Sequence, residues 1–373
     1  MVLATAAVAY ARAWGRRRNQ TLTVHWIGRD PALSLIRACC PDVVCHTIDS
    51  VLDQGSGALP PRIDICVDLQ SNLRSRRLAW RLARRHGAVV TRPSKRYLAR
   101  SLLVLAARLL GRSRLSLAVH EGLTQKQSGA PQYRLAAQAM ARALQKLDGP
   151  SPSKLASPSE TKLLADARPE LVPPAPDPRL NDATTTIWLA VAPGASHPTK
   201  KAPVTIFEEI LILLAEKNPA YSPNVNSTAL TSTSTRSIAI VLLGDSREHA
   251  DCLNLERRLT ALPWPGPVLN LAGNTTLPET VAILAGCRAI LSNDSSLAHI
   301  AEALGKPAFT LFGPTDEAFG FAPHLPTSRA CSVALGCRPC SKHGKAPCRF
   351  DDQACFRLID TRSTGLALKK VLS

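Results

Sequence analysis

The sequence predicts an α/β protein of two doubly wound, Rossmann-like parallel-sheet domains, and three observations lead there. Short apolar runs alternate with helix-patterned ones twice along the 373 residues. A stretch crowded with proline and serine separates the two alternations. The turns that follow the apolar runs of the second half hold glycines and small polar residues, as the ligand-binding strand ends of such sheets do.

In the first half, LTVHWIG (22–28), VVCHTI (43–48), DICVDLQ (64–70), GAVV (87–90) and LSLAVH (115–120) read as strands, and PALSLIRACC, LRSRRLAWRLARRH and YLARSLLVLAARLLG as helices. The run GPSPSKLASPSETKLLADARPELVPPAPDPRLND has the composition of a linker. The domain expectation is therefore 1–150, a linker at 151–183, and 184–373. In the second half the strands are TTIWLAVAPG, SIAIVLLGD, GPVLNLAG, RAILSN and PAFTLFGP, with helices near 205–217, 247–262, 277–286 and 295–304. The Ser/Thr-rich segment 218–237 reads as a surface insertion.

Charge is lopsided. Lys+Arg number 46 against 28 Asp+Glu, a formal +18, and residues 1–114 hold 20 basic and 6 acidic residues, a surplus of 14. Such an excess draws the chain toward an anionic partner. Nucleic acid is the less expected one, because aromatics are only 4% and the basic run lacks the interleaved aromatics of single-strand binders. The arginines at 74, 76, 77, 81, 84 and 85 read as a solvated helix face, one that would suit an acidic membrane or a phosphorylated lipid. The opening MVLATAAVAYARAWGRRR puts its positive charge after the apolar stretch, the reverse of a secretory signal, and no apolar run is long enough to span a bilayer. The expectation is a cytoplasmic protein with peripheral contact to the inner face of the membrane.

The turns of the second half carry the candidate chemistry: GASHPTKK (194–201), GDSREHA (244–250), GNTT (273–276), NDSS (293–296) and GPTD (313–316). They bring Lys200, Lys201, Glu248, Asp294, Ser295, Ser296 and His299 to one rim. There a lysine can neutralise a diphosphate, a carboxylate can hold ribose hydroxyls, and helix-start amides can receive phosphate oxygens. In SNDSSLAHIAEALGKPAFTLFGPT, Asp294 is expected to cap the helix and Gly305 to end it. Neither a GxGxxG nor a P-loop motif is present.

Of the 11 cysteines, Cys337, Cys340, Cys348 and Cys355 cluster as C-x2-C-x7-C-x6-C. Two readings stay open: a tetrahedral structural zinc site, or a structural or redox-labile set of thiols.

The pieces APGASHPTKKAP, IVLLGDSRE, LNLAGNTTLPETVAILAGCRAILSNDSSLAHIAEALGKPAFTLFGPTDEAFG and CRPCSKHGKAPC, with IDICVDLQSNLRS in the first half, resemble glycosyltransferase family nine, the lipopolysaccharide heptosyltransferases. The resemblance implies a GT-B architecture, two Rossmann-like domains facing a central cleft, with the acceptor on the N-terminal one and the nucleotide-sugar donor on the C-terminal one. It implies that Ser196, Lys200, Glu248, Asp294, Ser295, Ser296 and His299 bind the donor, Lys200 at the diphosphate and Glu248 at the ribose. It further implies an inverting transfer, most simply of heptose from ADP-heptose to a lipopolysaccharide core or related lipid-linked oligosaccharide. No cofactor is implied for catalysis, and the base is a carboxylate for which Asp30 is the candidate. Two positions depart from the family pattern: Arg29 separates Gly28 from Asp30, and Ala202 stands where a tryptophan is usual. A relative that binds a nucleotide sugar without transferring it, and a basic nucleic-acid-binding protein with a four-cysteine site, are the alternative readings.

Overall fold

The computed structural model describes residues 2–53, 59–93, 97–110, 131–147, 158–175, 177–180, 186–215, 237–262, 264 and 266–373. The chain divides into two compact units, one of Met1–Arg96 with Ala130–Val172, the other of Tyr97–Gly129 with Pro173–Ser373.

In the first unit, β1 (Val24–Gly28) pairs in parallel with β2 (Val43–Thr47), and β3 (Ile65–Val67) with β4 (Val89–Thr91). These are two separate two-stranded sheets among the described residues. The helices are α1 (Thr5–Arg18), α2 (Ala32–Cys39), α3 (Ile48–Asp53), α4 (Leu73–His86), α6 (Gln132–Leu147) and α7 (Pro158–Asp166), with α5 (Tyr97–Leu110) belonging to the second unit. The apolar opening of the chain is α1, whose Ala6, Tyr10 and Trp14 bury against Tyr133, Ala137 and Leu144 of α6. The segment expected as linker contains α7, which places Leu163 in that same core, with Ala167 just beyond it. Its Leu-Leu-Ala run has enough apolar surface to fold back despite the flanking prolines. No helix among the described residues is long and apolar enough to cross a membrane.

The second unit holds a six-stranded parallel sheet in the order β10-β9-β8-β5-β6-β7. The strands are β5 (Thr186–Ala192), β6 (Ser237–Leu242), β7 (Val268–Asn270), β8 (Ala289–Asn293), β9 (Ala308–Leu311) and β10 (Arg329–Cys331). Its helices are α5, α8 (Val204–Ala215), α9 (His249–Ala261), α10 (Leu277–Gly286), α11 (Ser296–Ala303), α12 (Ala354–Arg357) and α13 (Thr361–Leu372). Strands β8 and β9 are buried at every position, as continuous apolar runs covered by helices on both faces must be. Leu189, Val191, Phe207, Ile210, Leu242, Leu291, Phe309 and Phe356 fill one core. Thr276 and Glu279 start α10 with a reciprocal capping box, and Gly305, at φ 75°, ends the turn after α11 in the left-handed region. The strand order reverses between β5 and β8, so the crevice for a ligand lies beyond their carboxyl ends. The expected strand at 115–120 and nearly all of the 218–237 insertion lie outside the described residues.

Candidate functional site

Asn293, the last residue of β8, ties the switch point together. Its buried amide donates to the carbonyls of Pro193 at 2.6 Å and Gly194 at 3.3 Å, and its Oδ1 accepts the Ala202 N–H at 3.0 Å. The turn after β5 is thereby stapled to β8, and Ala202 is buried at the point where the stapled loop ends.

The next residue does not cap the helix as expected. Ser295 occupies the N-cap, without a side-chain cap bond, and Asp294 turns its carboxylate to Lys200, with Nζ 2.6 Å from Oδ2. Thr315 Oγ1 donates to the same oxygen at 2.9 Å. An ammonium reaching from the neighbouring loop is a stronger partner for a half-buried carboxylate than a backbone amide. Ser295 Oγ is buried with no hydrogen-bond partner among the described residues, and Ser296 is exposed at the first position of α11.

His299 lies one turn into α11, its ring 6.1 Å from that of Phe321. Burial holds its imidazole below the ordinary histidine value, against the pull of Asp294 and Glu302 in the other direction, so it is neutral at neutral pH. One turn further, the buried Glu302 accepts the N–H groups of His324 at 2.7 Å and Leu325 at 2.9 Å, fixing the loop that carries Phe321. From α5, Arg100 donates to the Phe319 carbonyl at 2.8 Å and lies over both phenylalanine rings.

Glu248 precedes α9, folded over the glycine turns of two adjacent strands. A Cβ on Gly194 would overlap the Glu248 carboxyl, and one on Gly244 would approach its Oε2 to 3.0 Å. Burial raises the Glu248 pKa, although Oε2 accepts the Asp245 N–H at 3.0 Å. Only a glycine turn leaves room for this carboxylate. Ser196 is exposed in the loop after β5, and the paired lysines part company: Lys201 turns to Asp251 at 2.5 Å while Lys200 takes Asp294.

Asp30 belongs to the first unit, exposed where β1 leads into α2. Asp68, the carboxylate that follows β3, is committed to the fold: it is buried, accepts the Ser71 N–H at 2.8 Å and lies 3.9 Å from Arg92.

Sequence patterns did not single out Asn293, Thr315 or Arg338 as organisers. Arg338 is fully buried, with Nε donating to the Gly313 carbonyl at 2.7 Å, one terminal nitrogen to Thr315 at 2.9 Å and the other to Val333. It braces the loop that presents Thr315 to Asp294. An arginine between two cysteines gives no local hint of three carbonyls up to 25 residues away.

The Cys340 thiol donates to the Cys337 carbonyl at 3.2 Å, and the Cys337 side chain, together with burial, pushes its pKa up. Burial also raises Cys355, to about 11. Burial acts upward on Cys348 too, but the N–H groups of Phe350, Gln353, Asp352 and Asp351 outweigh it and hold this thiol below the ordinary range. Among the described residues no group of three or more His, Cys, Asp or Glu side chains could hold a metal ion. The four thiols nevertheless lie within electrostatic reach of one another.

Residues 228–350 match the model of glycosyltransferase family 9 (heptosyltransferase). Lipopolysaccharide heptosyltransferase 2 of Escherichia coli K12 is 37% identical over 86 residues, 21% of this chain and 23% of that protein. Lipooligosaccharide heptosyltransferase 2 of Haemophilus ducreyi is 53% identical over 53 residues, 14% of this chain and 15% of that one. The matched stretches thus span less than a quarter of these relatives' length. The solved structure of E. coli ADP-heptose lps heptosyltransferase II covers 100% of this chain and 95% of its own at 18% identity, with a TM-score of 0.57. That likeness is one of fold, the GT-B-type α/β architecture, and it extends over both units. Much of the site of the second unit, Glu248, Asp294, Ser295, Ser296 and His299, lies inside the segment that is similar to glycosyltransferase family 9.

Proposed function

We propose that the protein is an inverting glycosyltransferase that moves a sugar, heptose from ADP-heptose, onto a lipopolysaccharide core or related lipid-linked acceptor. The observation that carries the proposal is the Lys200–Asp294 pair beside the start of α11, at the strand-order switch point of a family 9 sheet. The donor diphosphate would take Lys200 and the amides at Ser295 and Ser296, the ribose Glu248, and the sugar end Ser295 Oγ and neutral His299. Ser196 would edge the same site.

Inverting transfer needs a base on the acceptor hydroxyl and compensation for the charge that grows on the leaving diphosphate. Lys200 and the helix start supply the second. Asp30 would supply the first: it stands exposed after β1, whereas Asp68 is tied down by Ser71 and Arg92. The first unit would hold the acceptor and the second the donor.

The test is calorimetric titration with ADP-, UDP-, GDP- and CDP-linked sugars, with a short single-stranded DNA as control, followed by a transfer assay on the donor that binds. Saturable binding of one nucleotide sugar, and transfer lost in Asp30→Asn with donor affinity kept, are the expected results. Binding without transfer in the unaltered protein would favour a non-catalytic relative, for which the Arg29 insertion between Gly28 and Asp30 is the motivating observation. Salt-sensitive DNA binding with no nucleotide-sugar signal overturns the proposal.

A further inference from the structure

Helix α4 has an outward face of unusual composition. Its inner side rests on the first unit through Ala79 and Leu82, beside Val51 and Leu59. With 3.6 residues per turn, positions 73, 77, 80 and 84 fall in one strip on the opposite side. In a water-facing helix that strip is polar. Here it reads Leu73, Arg77, Trp80, Arg84, with Leu73 73% and Trp80 56% exposed. Arg74, Arg76, Arg81 and Arg85 flank it, and α4 contains no acidic residue. The Arg84 guanidinium lies 4.8 Å from the centre of the Trp80 ring, so the aromatic is held outward with cations around it. The Asn72–Ser75 capping box fixes the first turn and thus the direction in which Leu73 projects.

An apolar pair at the centre of a six-arginine field fits a surface that is apolar beneath and anionic above. That is the boundary of a bilayer with anionic headgroups, where indole sits at headgroup depth and arginine stems lie along the surface with their charge in the phosphate layer. A nucleic acid would satisfy the arginines but gives Leu73 nothing to enter. We infer that the outer face of α4 is the docking surface by which the protein binds an anionic lipid bilayer, with Trp80 and Leu73 entering the interface and Arg77 and Arg84 pairing with lipid phosphates. This deepens the proposed function, whose lipid-linked acceptor lies in a membrane, and rests on it, but it does not depend on the transfer reaction, so vesicle binding and nucleotide-sugar binding fail independently.

The experiment is co-sedimentation of the full chain with vesicles of phosphatidylcholine alone and of phosphatidylcholine with phosphatidylglycerol, while tryptophan emission is recorded. Binding is expected to the anionic vesicles only, weakening with salt, with a blue shift that Trp80→Phe abolishes. At about fivefold per arginine near an anionic surface, Arg77→Gln with Arg84→Gln should weaken binding about 25-fold, and Trp80→Ala about fivefold. Each substituted side chain is at the surface, and unchanged thermal melting and donor affinity would show that the variants are folded. Equal binding to both vesicle types, full binding by Trp80→Ala or by the double arginine variant, or binding to single-stranded DNA in place of vesicles overturns the inference.

Discussion

Lys200 Nζ stands 2.6 Å from Asp294 Oδ2, with side-chain exposures of 13% and 11%, across the switch point between β5 and β8. The carboxylate is also the acceptor for Thr315, so the ammonium is held by a group that is itself held. Lys200→Ala removes the positive charge and leaves Asp294 half-buried beside the incoming diphosphate. We expect it to cost about 2–3 kcal/mol of donor binding, a charged hydrogen bond's worth, in a titration with the nucleotide sugar that the unaltered protein binds. Unchanged affinity would place the diphosphate elsewhere.

Gly344 sits at φ 76°, and a Cβ there would overlap Lys200 Cγ, while Thr199 donates to its carbonyl. The cysteine-bearing loop therefore seats the lysine. Gly344→Ala should raise the donor KM and, if it acts through Lys200, add nothing to Lys200→Ala in the double variant. Additive losses would show an independent, merely structural effect. Thr199→Val repeats the test without backbone strain.

Glu248 carries a pKa raised by burial above 4.5. The folded state then holds its proton at a pH where the unfolded chain has lost it, so stability falls as pH rises from about 4.5 through the raised value. Glu248→Gln keeps the shape and removes the charge. Thermal melts should show the variant at least as stable as the parent at pH 7 and less dependent on pH above the ordinary carboxyl range, while nucleotide-sugar affinity drops. A variant less stable than the parent at neutral pH would mean that the ionised carboxylate is stabilising.

Arg338→Ala strips three carbonyls of their donor and opens a cavity beneath Thr315. A loss of about 3 kcal/mol or more is expected in chemical denaturation, together with weakened donor binding because Thr315 no longer holds Asp294. Arg338→Lys should recover only part of it, since one ammonium cannot reach three divergent acceptors.

The strands and helices of the second unit were readable because their signals are local: an apolar run, a helical spacing of apolar residues, a glycine at 305. The residues of the candidate site could be listed from the sequence for the same reason, each lying in or just after a turn that follows a strand. Their pairing was not. Asp294 looks like a helix cap from its neighbours alone, and only the fold brings Lys200 close enough to claim it. Arg338 and Asn293 act through carbonyls supplied by other segments, so no spacing in the chain announces them. In the expected linker, proline content outweighed the apolar residues of α7, whose partners Tyr10 and Trp14 lie far back in sequence.

The register of the central sheet has a consequence for how the chain is made. Leu189 of β5 pairs with Ala289 of β8, a separation of 100 residues, while β6 is available sooner. During synthesis β5 and β6 can form one side of the sheet while the other side of β5 remains an uncovered apolar edge until β8 emerges. That interval, rather than the finished protein, is when the nascent chain is most open to capture by a chaperone or to association with another copy.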